Sequence, residues 1–497
     1  MQILDLVIIF GYLIGVTLFG IYFSGQQETT DDYFVGDRNV PWWAIAASIV
    51  ATETSTITFI SVPGIAFAKN GNFQFLQLVF GYMIGRVVIS IIFIPLYFKG
   101  ELQTVYQLLG ERFGNKVKML ASAIFVVMRN IADGVRLLLT AIVLAAVYVA
   151  FQPTADVTAV IIGSIILLGV VMIIFTYFGG MEAIIWVEVV QLAIYIGGAV
   201  AAGFVILNQV EGGFSQVIVI GQQFDKFDVF DFTLDFTKTF TFWSGIIGGC
   251  FLTMSTHGTD QFLVQRYLCT NKPASASLAL LSSGAVVLGQ FIGFLFIGIL
   301  LFAFYAPYES VEYAKAGVQG SGITGTFPFT GGDQVFPDFI TKHMPSGLSG
   351  LVIAAIFAAA LSSSLNSIAA TFVNDLYKPF KQKATDKHIL SVSHWLTLLF
   401  GIVQIVVALV LMNFNRSALS VALSVASLMN GPVLGVFLVG SFLPKVKQKA
   451  ALSAMIFSCL VMGYVTFQTS IAWTWYVLIG SMLTFFAAWV LSFILKD

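Results

Sequence analysis

Long apolar stretches alternate with short polar ones along the whole chain. A stretch of about twenty apolar residues is long enough to cross the hydrocarbon core of a bilayer as a helix. Thirteen such segments are predicted, at 3–23, 42–68, 75–98, 119–149, 157–178, 183–206, 241–267, 277–305, 349–374, 388–412, 416–442, 447–467 and 472–494. The pattern therefore predicts an all-α polytopic membrane protein, with residues 1–497 in a single membrane domain.

Two of these segments are interrupted in mid-span by polar residues. The second contains Ala51-Thr-Glu-Thr-Ser-Thr-Ile-Thr-Phe59, with Pro63 soon after it, and the seventh contains the polar run Ser255–Gln261. In lipid, irregular backbone is tolerated only where it lines a cavity, and a carboxylate such as that of Glu53 only where it faces protein. Paired interrupted helices at matching places in two halves of a chain indicate a transporter's binding site near the membrane midplane.

The spacing of the interrupted segments predicts an internal repeat. They stand five segments apart, and five crossings end on the opposite side of the membrane, so the two halves must be inverted. We expect a leading helix at 3–23, a first repeat at 42–206, a second repeat at 241–442, and two trailing helices at 447–494.

Composition agrees with a membrane protein and excludes several functions. Hydrophobic residues make up 58% of the chain and charged residues 10%, as expected for a protein whose main partner is the lipid bilayer. A net charge of −1 offers no basic surface for nucleic acid, and the three cysteines show neither disulfide nor metal-binding spacing. No connection is long enough to form an enzyme domain, and no obligatory protein partner is evident.

The distribution of lysine and arginine predicts the orientation. With the N-terminus outside, fifteen basic residues fall on the inner side: Arg38, Lys99, Arg112, Lys116, Lys118, Arg266, Lys272, Lys378, Lys381, Lys383, Lys387, Lys445, Lys447, Lys449 and Lys496. Six fall outside: Lys69, Lys226, Lys238, Lys315, Lys342 and Arg416. The excess predicts an N-terminus outside and a C-terminus in the cytoplasm, in the cytoplasmic membrane. The long connections 207–240 and 306–348 are then external, the second as a flexible cover.

Small polar residues in the ninth segment offer oxygen ligands for a cation. A backbone carbonyl lies on the same helix face as the side chains three and four residues later, so the carbonyl of Ala359 is joined by the hydroxyls of Ser362 and Ser363. Unwound carbonyls at Ala51 and Thr54 would complete a small all-oxygen shell suited to Na⁺. The alternative is that runs of alanine and serine are ordinary packing surface in membrane helices.

Several charged residues lie inside apolar segments. Glu188 is either a functional carboxylate or an interfacial one held by a loop lysine. Arg129 and Arg136 can each pair with Asp133 through spacings of four and three residues. One arginine is then left over, which could hold an anionic solute or neutralise Glu188 or Glu53; for Glu53 we expect such an arginine of segment 119–149.

Two further polar groups follow in the seventh segment. His257 and Asp260 could relay protons, or could serve as hydrogen-bonding groups at the helix break. Asp260 is also a candidate solute contact.

These motifs together resemble the sodium/solute symporters, a family that includes sodium–glucose, sodium–iodide and sodium–sialic acid carriers. The resemblance covers essentially the whole chain and is most specific in four motifs: Ala51…Ser55…Thr58, Phe175-Thr-Tyr-Phe-Gly-Gly-Met-Glu-Ala183, Asp260-Gln-Phe-Leu-Val-Gln-Arg266 and Ala354-Ala-Ile-Phe-Ala-Ala-Ala-Leu-Ser-Ser363. It implies a leucine-transporter-type fold with a five-plus-five inverted repeat.

The resemblance also implies a set of binding residues. The family's common sodium site falls on Ala51, Thr54, Ala359, Ser362 and Ser363, and a second sodium position falls on Glu188. Solute-contact positions fall on Ser55, Thr58, Phe73 and Gln77, and Arg136 is the arginine we place at the solute.

The expected function is sodium-coupled symport, and not an enzymatic reaction. Such a carrier would import a small polar organic solute by alternating access, and the leftover arginine favours a carboxylate over a sugar. Two alternatives stay open: a proton-coupled carrier using Glu53, His257 and Asp260, and a solute sensor of the same fold that does not transport.

Overall fold

The structure is a computed structural model of the chain. It describes residues 2–23, 29–68, 70–100, 102–152, 154–305, 318–319, 322–323, 332–361, 364–381, 383–413 and 428–495. The first ten helices are α1 Ile3–Phe23, α2 Thr30–Val35, α3 Trp42–Glu53, α4 Thr56–Phe67, α5 Leu76–Ile92, α6 Ile94–Tyr97, α7 Gln107–Phe113, α8 Asn115–Phe151, α9 Val157–Gln209 and α10 Gly213–Gln223.

The remaining helices follow the same order. They are α11 Gly249–Gly258, α12 Gln261–Leu268, α13 Pro273–Tyr305, α14 Val335–Lys342, α15 Leu348–Leu361, α16 Leu365–Thr371, α17 Asp386–Leu411, α18 Asn430–Phe442, α19 Gln448–Gln468 and α20 Tyr476–Ile494. Two-residue strands β1 (Val318–Gln319) and β2 (Gly322–Ile323) pair antiparallel. Short π-helical turns precede α11 (Ser244–Gly248) and follow α16 (Phe372–Tyr377), and a 3₁₀ turn covers Lys378–Phe380.

The long apolar helices agree with a membrane-embedded chain. Six of the described helices are long and apolar enough to span a bilayer, and a seventh span results if the bent pair α3 and α4 is counted as one. The count of thirteen helices, the domain boundaries and the inverted repeat stay predictions.

The predicted interruptions appear where the polar residues interrupt the apolar pattern. The helices α3 and α4 are bent by 61° at the break after Glu53. In the seventh segment α11 ends at Gly258 and α12 begins at Gln261. Asp260 caps α12, because its carboxylate accepts from the amide of Phe262 at 2.8 Å.

Glycines let α5 pack closely against the π turn and α11. A Cβ atom on Gly81 would lie 2.2 Å from the carbonyl oxygen of Gly245, and one on Gly85 would lie 2.7 Å from that of Cys250. Only residues without a side chain allow this approach, which is common between membrane helices. The close packing brings the middle of α5 beside the end of α11.

The connections contain helices that the apolar pattern did not predict. Both α10 and α14 lie in the two long connections, 207–240 and 306–348, and α2 and α7 lie in shorter ones. Much of the predicted flexible cover lies outside the described residues. Its described end packs on α4, with the Phe336 and Phe59 rings stacked at 5.1 Å and Gly332 against Gly64.

Candidate functional site

The break after Glu53 leaves two backbone carbonyls without their helical donors. The amide of Ser55, which would donate to Ala51 in a continuous helix, donates to the carbonyl of Glu53 at 3.0 Å. The amide of Thr58, which would donate to Thr54, donates to the Ser55 hydroxyl at 3.3 Å. The carbonyls of Ala51 and Thr54 therefore lack the donors of a continuous helix, as is typical of backbone ligands to a cation.

Hydroxyl groups surround the same break. The hydroxyls of Ser55 and Thr58 lie 3.2 Å apart, so the structure brings these two predicted solute contacts together. Tyr195 of α9 donates to the Ser55 carbonyl at 2.9 Å. The Thr54 hydroxyl lies 2.9 Å from Oε1 of Gln290 in α13. Contacts from α9 and α13 thus hold the break in place.

The other half of the predicted sodium site falls partly outside the described residues. Ala359 lies in the last turn of α15, but Ser362 and Ser363 lie outside the described residues. Their role as sodium ligands stays a prediction.

The Glu53 carboxylate pairs with Arg86 of α5, at 2.5 Å, and with His257 of α11, at 3.0 Å. The expectation of an arginine from segment 119–149 was wrong. The close packing of α5 on α11 places Arg86 and His257 together, with 3.3 Å between Nη2 and Nε2. This three-residue contact connects the first interrupted helix to the second.

A second buried ion pair joins Glu188 of α9 to Arg266 of α12 and packs against α3. Arg266 of α12 donates to the Glu188 carboxylate from Nη2 at 2.6 Å and from Nε at 3.3 Å. Thr52 donates to Oε1 at 3.0 Å, and Ser48 donates to Oε2. Glu188 and Arg266 are each 1% exposed. The partner is therefore an arginine of the second interrupted helix and not a loop lysine.

Four charged residues form a third group. Arg129 and Arg136 lie 3.2 Å and 3.9 Å from Asp133, which confirms the pairing predicted from their spacing. Arg129 also lies 3.9 Å from Asp260, and Ser364 donates to Asp133. The two arginines and two aspartates thus balance in charge. Asp260 balances the positive charge that the sequence left over.

A polar cavity adjoins this group. Its volume is about 170 Å³. Its polar lining comes from α8, α11 and α18 and from the residues just before α7 and between α11 and α12: Tyr106, Arg129, Ser255, Thr256, Thr259, Asp260 and Asn430. The ring of Phe262 lies beside it, with the guanidinium carbons of Arg129 and Arg266 at 3.9 Å and 4.7 Å from the ring centroid. Hydroxyl, amide and charged groups that converge on one cavity can hold a small polar solute.

The predicted solute contacts Phe73 and Gln77 lie against the connection between α10 and α11. The buried amide of Gln77 accepts from the Asp231 amide at 3.0 Å and donates to the Phe240 carbonyl at 3.4 Å. The amide of Phe73 donates to the Asp228 carbonyl at 3.0 Å. In this arrangement both residues hold the connection between α10 and α11.

Known proteins match the chain over almost its whole length. The model of the "Sodium:solute symporter family" matches residues 33–458. The chain belongs to the sodium:solute symporter family. It is therefore a membrane-embedded, sodium-coupled carrier of a small organic solute, and not an enzyme.

Two relatives and one solved structure extend the match. The sodium/sialic acid symporter NanT of Aliivibrio fischeri is 30% identical over 99% of this chain and 94% of its own length. The human sodium-coupled monocarboxylate transporter 1 is 26% identical over 91% of this chain and 71% of its own. A Na⁺-coupled sialic acid symporter, solved in a substrate-bound outward-open state, has a TM-score of 0.85 and 28% identity over 100% of this chain and 99% of that one.

Sequence reasoning missed several partners in this family member. Arg86 was not singled out in the sequence as a binding residue, and Arg266 had no binding role assigned although it stands in a specific motif. Ser48, Thr52 and Gln290 carried no signal beyond being polar in apolar segments. The four-residue spacing of Ser48 and Thr52 does place them on one helix face, but it does not indicate which side chain they meet.

Proposed function

We propose that the chain imports a small organic carboxylate together with Na⁺ by alternating access. The observation that carries this proposal is the helix break, where the carbonyls of Ala51 and Thr54 lack helical donors beside the hydroxyls of Ser55 and Thr58. Carbonyl oxygens at such a break suit Na⁺, which is cargo here, and nearby hydroxyls suit a polar solute. The N-terminus outside and the C-terminus in the cytoplasm are part of the same proposal.

We place the coupling ion between α3 and the end of α15. Its ligands would be the carbonyls of Ala51, Thr54 and Ala359 and the hydroxyls of Ser362 and Ser363. An ion shared by two helices favours the conformation in which they are close, and its release into the cytoplasm frees them to move apart. The Na⁺ gradient and the membrane potential, worth about 2.3 kcal/mol per charge per 100 mV, drive the cycle.

A second sodium position at Glu188 stays a prediction, and it requires a movement of Arg266. Arg266 neutralises this carboxylate, and both carboxylate oxygens already accept hydrogen bonds. The guanidinium must move away before the carboxylate can bind an ion.

The choice of a carboxylate rests on the arginines and on the relatives. Arg136 lies 3.9 Å from Asp133 and is 20% exposed, so its guanidinium is less closely paired than that of Arg129 and can accept an anion. Sialic acid and monocarboxylates, which two relatives carry by name, are both carboxylates at neutral pH. Ser55, Thr58 and Asp260 would orient the solute, and Phe73 and Gln77 would contact it once the outer connection moves.

Uptake into vesicles tests the proposal. A thermal-shift screen of carboxylates, sugars and amino acids, in Na⁺ and separately in K⁺, first identifies a solute that stabilises the purified protein only with Na⁺. Proteoliposomes should then accumulate that solute under an inward Na⁺ gradient and fail to do so with choline. Uptake that persists in choline and collapses with a protonophore would instead establish a proton-coupled carrier. Binding without solute counterflow would establish a sensor.

A further inference from the structure

A basic cleft opens on the lysine-rich side of the molecule, away from the solute site. It has a volume of about 340 Å³ and is lined by the start of α8, the π turn after α16, the 3₁₀ turn and the start of α17: Asn115, Lys118, Asn374, Lys378, Pro379, Lys381, Ala384 and Ile389. Three lysines and no carboxylate line it. The distribution of basic residues predicts that this side is cytoplasmic.

None of the three lysines forms an ion pair with a carboxylate of the described residues. Among the described residues, no carboxylate oxygen lies within 4.0 Å of the amines of Lys118, Lys378 or Lys381. The buried carboxylate of Asp375 accepts from the hydroxyls of Thr104, at 2.8 Å, and Ser122, at 3.0 Å. The charges of Asp375, Asp386 and Asp31 act on Lys378, and that of Asp375 also acts on Lys118, but only through space and not as ion pairs. The Lys378 amine donates to the neutral Oε1 of Gln103 at 3.4 Å. The cleft therefore complements an anion.

Apolar surface beside the cleft indicates that the anion carries acyl chains. Phe380, between two of the lysines, is 73% exposed. From Trp395 onward, the exposed face of α17 is apolar: Trp395, Leu399, Ile402, Val406 and Val410. Their spacing of three and four residues forms a continuous stripe along the helix. Nearer the cleft the same face has Ser391 and Lys387. Free phosphate would make no use of this stripe, whereas a lipid would place its chains along it.

One polar atom of the cleft, Oδ1 of Asn374, could accept a hydrogen bond from a hydroxyl of the bound anion. Asn374 lines the cleft, and its Nδ2 donates to the Ala370 carbonyl at 3.0 Å. Its Oδ1 is buried and has no hydrogen-bond partner among the described residues. A hydroxyl near the phosphate, as in a glycerol headgroup, would supply a donor.

We propose that this cleft binds the headgroup of an anionic glycerophospholipid of the phosphatidylglycerol type. The phosphate lies among Lys118, Lys378 and Lys381, and the acyl chains follow the apolar face of α17. Basic pockets between membrane helices on the cytoplasmic side recognise anionic headgroups in this way. A bound lipid would join α8 to α17 and to the segment that follows α16.

The test measures the thermal stability of the full-length protein in neutral detergent with added lipid. We expect phosphatidylglycerol to raise the melting temperature by about 3 °C over phosphatidylcholine. Glycerol 3-phosphate and inorganic phosphate, without acyl chains, should leave it unchanged. Stabilisation by phosphatidylcholine equal to that by phosphatidylglycerol would overturn the proposal, and so would a soluble phosphate that reproduces the whole shift.

Matched variants separate the cleft from diffuse surface charge. The Lys118→Gln/Lys378→Gln/Lys381→Gln variant should lose the shift. Lys445→Gln/Lys447→Gln/Lys449→Gln, which removes the same charge outside the cleft, should keep it. Equal shifts in both variants would show that the cleft is not the site.

Lys381→Gln alone, at an exposed position, should lower phosphatidylglycerol occupancy in native mass spectrometry severalfold, and unchanged occupancy would count against the site.

Discussion

Glu53 and Arg86 lie 2.5 Å apart, on two different helices within the membrane-embedded part of the chain. His257 completes the contact from the second interrupted helix, at 3.0 Å from the Glu53 carboxylate. Next to Glu53, Thr52 contacts the other buried ion pair, between Glu188 and Arg266. Consecutive residues of α3 thus connect it to α9 through Thr52 and to α5 and α11 through Glu53, immediately before the proposed sodium ligand Thr54.

Removing the charge of Arg86 alone should destabilise the protein more than removing the charges of Arg86 and Glu53 together. In Arg86→Met the Glu53 carboxylate keeps its charge without its main partner, which costs about 3–5 kcal/mol at a buried site. We expect the Glu53→Gln/Arg86→Met double variant to recover part of the loss in melting temperature. Lys238→Met is the control, because its pair with Asp231 spans 3.6 Å and Lys238 is 51% exposed. A double variant as unstable as Arg86→Met would show that charge pairing is not what stabilises this position.

Gly284 of α13 should be required for the position of Arg86. A Cβ atom there would lie 2.8 Å from Cδ of Arg86 and 2.9 Å from Sδ of Met83, so Gly284→Ala must displace one of them. We expect a loss of about 1–3 kcal/mol, seen as a lower melting temperature. Gly289→Ala, on the same helix with nothing within 4 Å, should behave as wild type. Equal effects of the two substitutions would contradict this account.

The sequence pattern predicted the features that depend on residues close together in the chain. It located both helix interruptions, since polar residues in an apolar span force the backbone to break. It also located the pairs of Arg129 and Arg136 with Asp133, since residues three or four apart share a helix face. In α9, helix geometry is broken at Gly180, between the segments predicted at 157–178 and 183–206.

Contacts between distant helices could not be predicted in the same way. Glu53 and Arg86 stand 33 residues apart, and Glu188 and Arg266 stand 78 apart. Which helix faces meet depends on packing, here on the glycines that bring α5 against α11. The short helices of the connections were missed because they are too brief to show an apolar period. The paired serines of the sodium proposal rest on the sequence alone.

The Ser362→Ala/Ser363→Ala variant should weaken sodium coupling. Loss of two hydroxyl ligands should raise the Na⁺ concentration for half-maximal solute uptake at least tenfold, or about 1.4 kcal/mol. Ser393→Ala is the control, because that buried hydroxyl only donates within its own helix, to Ile389 at 2.8 Å. An unchanged Na⁺ requirement in the double variant would refute the assignment of these two serines.

Glu188→Gln should separate a structural ion pair from a second sodium site. The substitution leaves Arg266 buried without its counter-charge, so we expect a melting temperature several degrees lower. If Glu188 binds a second sodium once the guanidinium has moved away, the Hill coefficient for Na⁺ should fall towards one in this variant. A Hill coefficient that stays as in wild type would show that Glu188 serves only the ion pair.

Lys226 should make stability depend on pH. This residue of the connection between α10 and α11 donates to the carbonyls of Ala66, at 3.1 Å, and Ala68, at 2.5 Å, at the end of α4. Its amine lies 4.2 Å from the ring centroid of Phe302. Burial lowers the pKa of Lys226 from 10.5 to about 7. Between these values the unfolded chain binds a proton that the folded protein does not, so stability rises with pH from about 7 to 10.5 and is lower, and constant, below 7.

The Lys226→Met variant removes this titration and provides the comparison. The melting temperature of wild type minus that of Lys226→Met should increase between pH 7 and pH 9, by an amount equivalent to about 2 kcal/mol. Scanning fluorimetry of both proteins in detergent at pH 6, 7, 8 and 9 measures it. The difference should change little between pH 6 and pH 7, because the folded protein begins to lose the proton only as the pH approaches about 7. A difference that is also flat from pH 7 to pH 9 would mean that the carbonyls of α4 keep the amine charged.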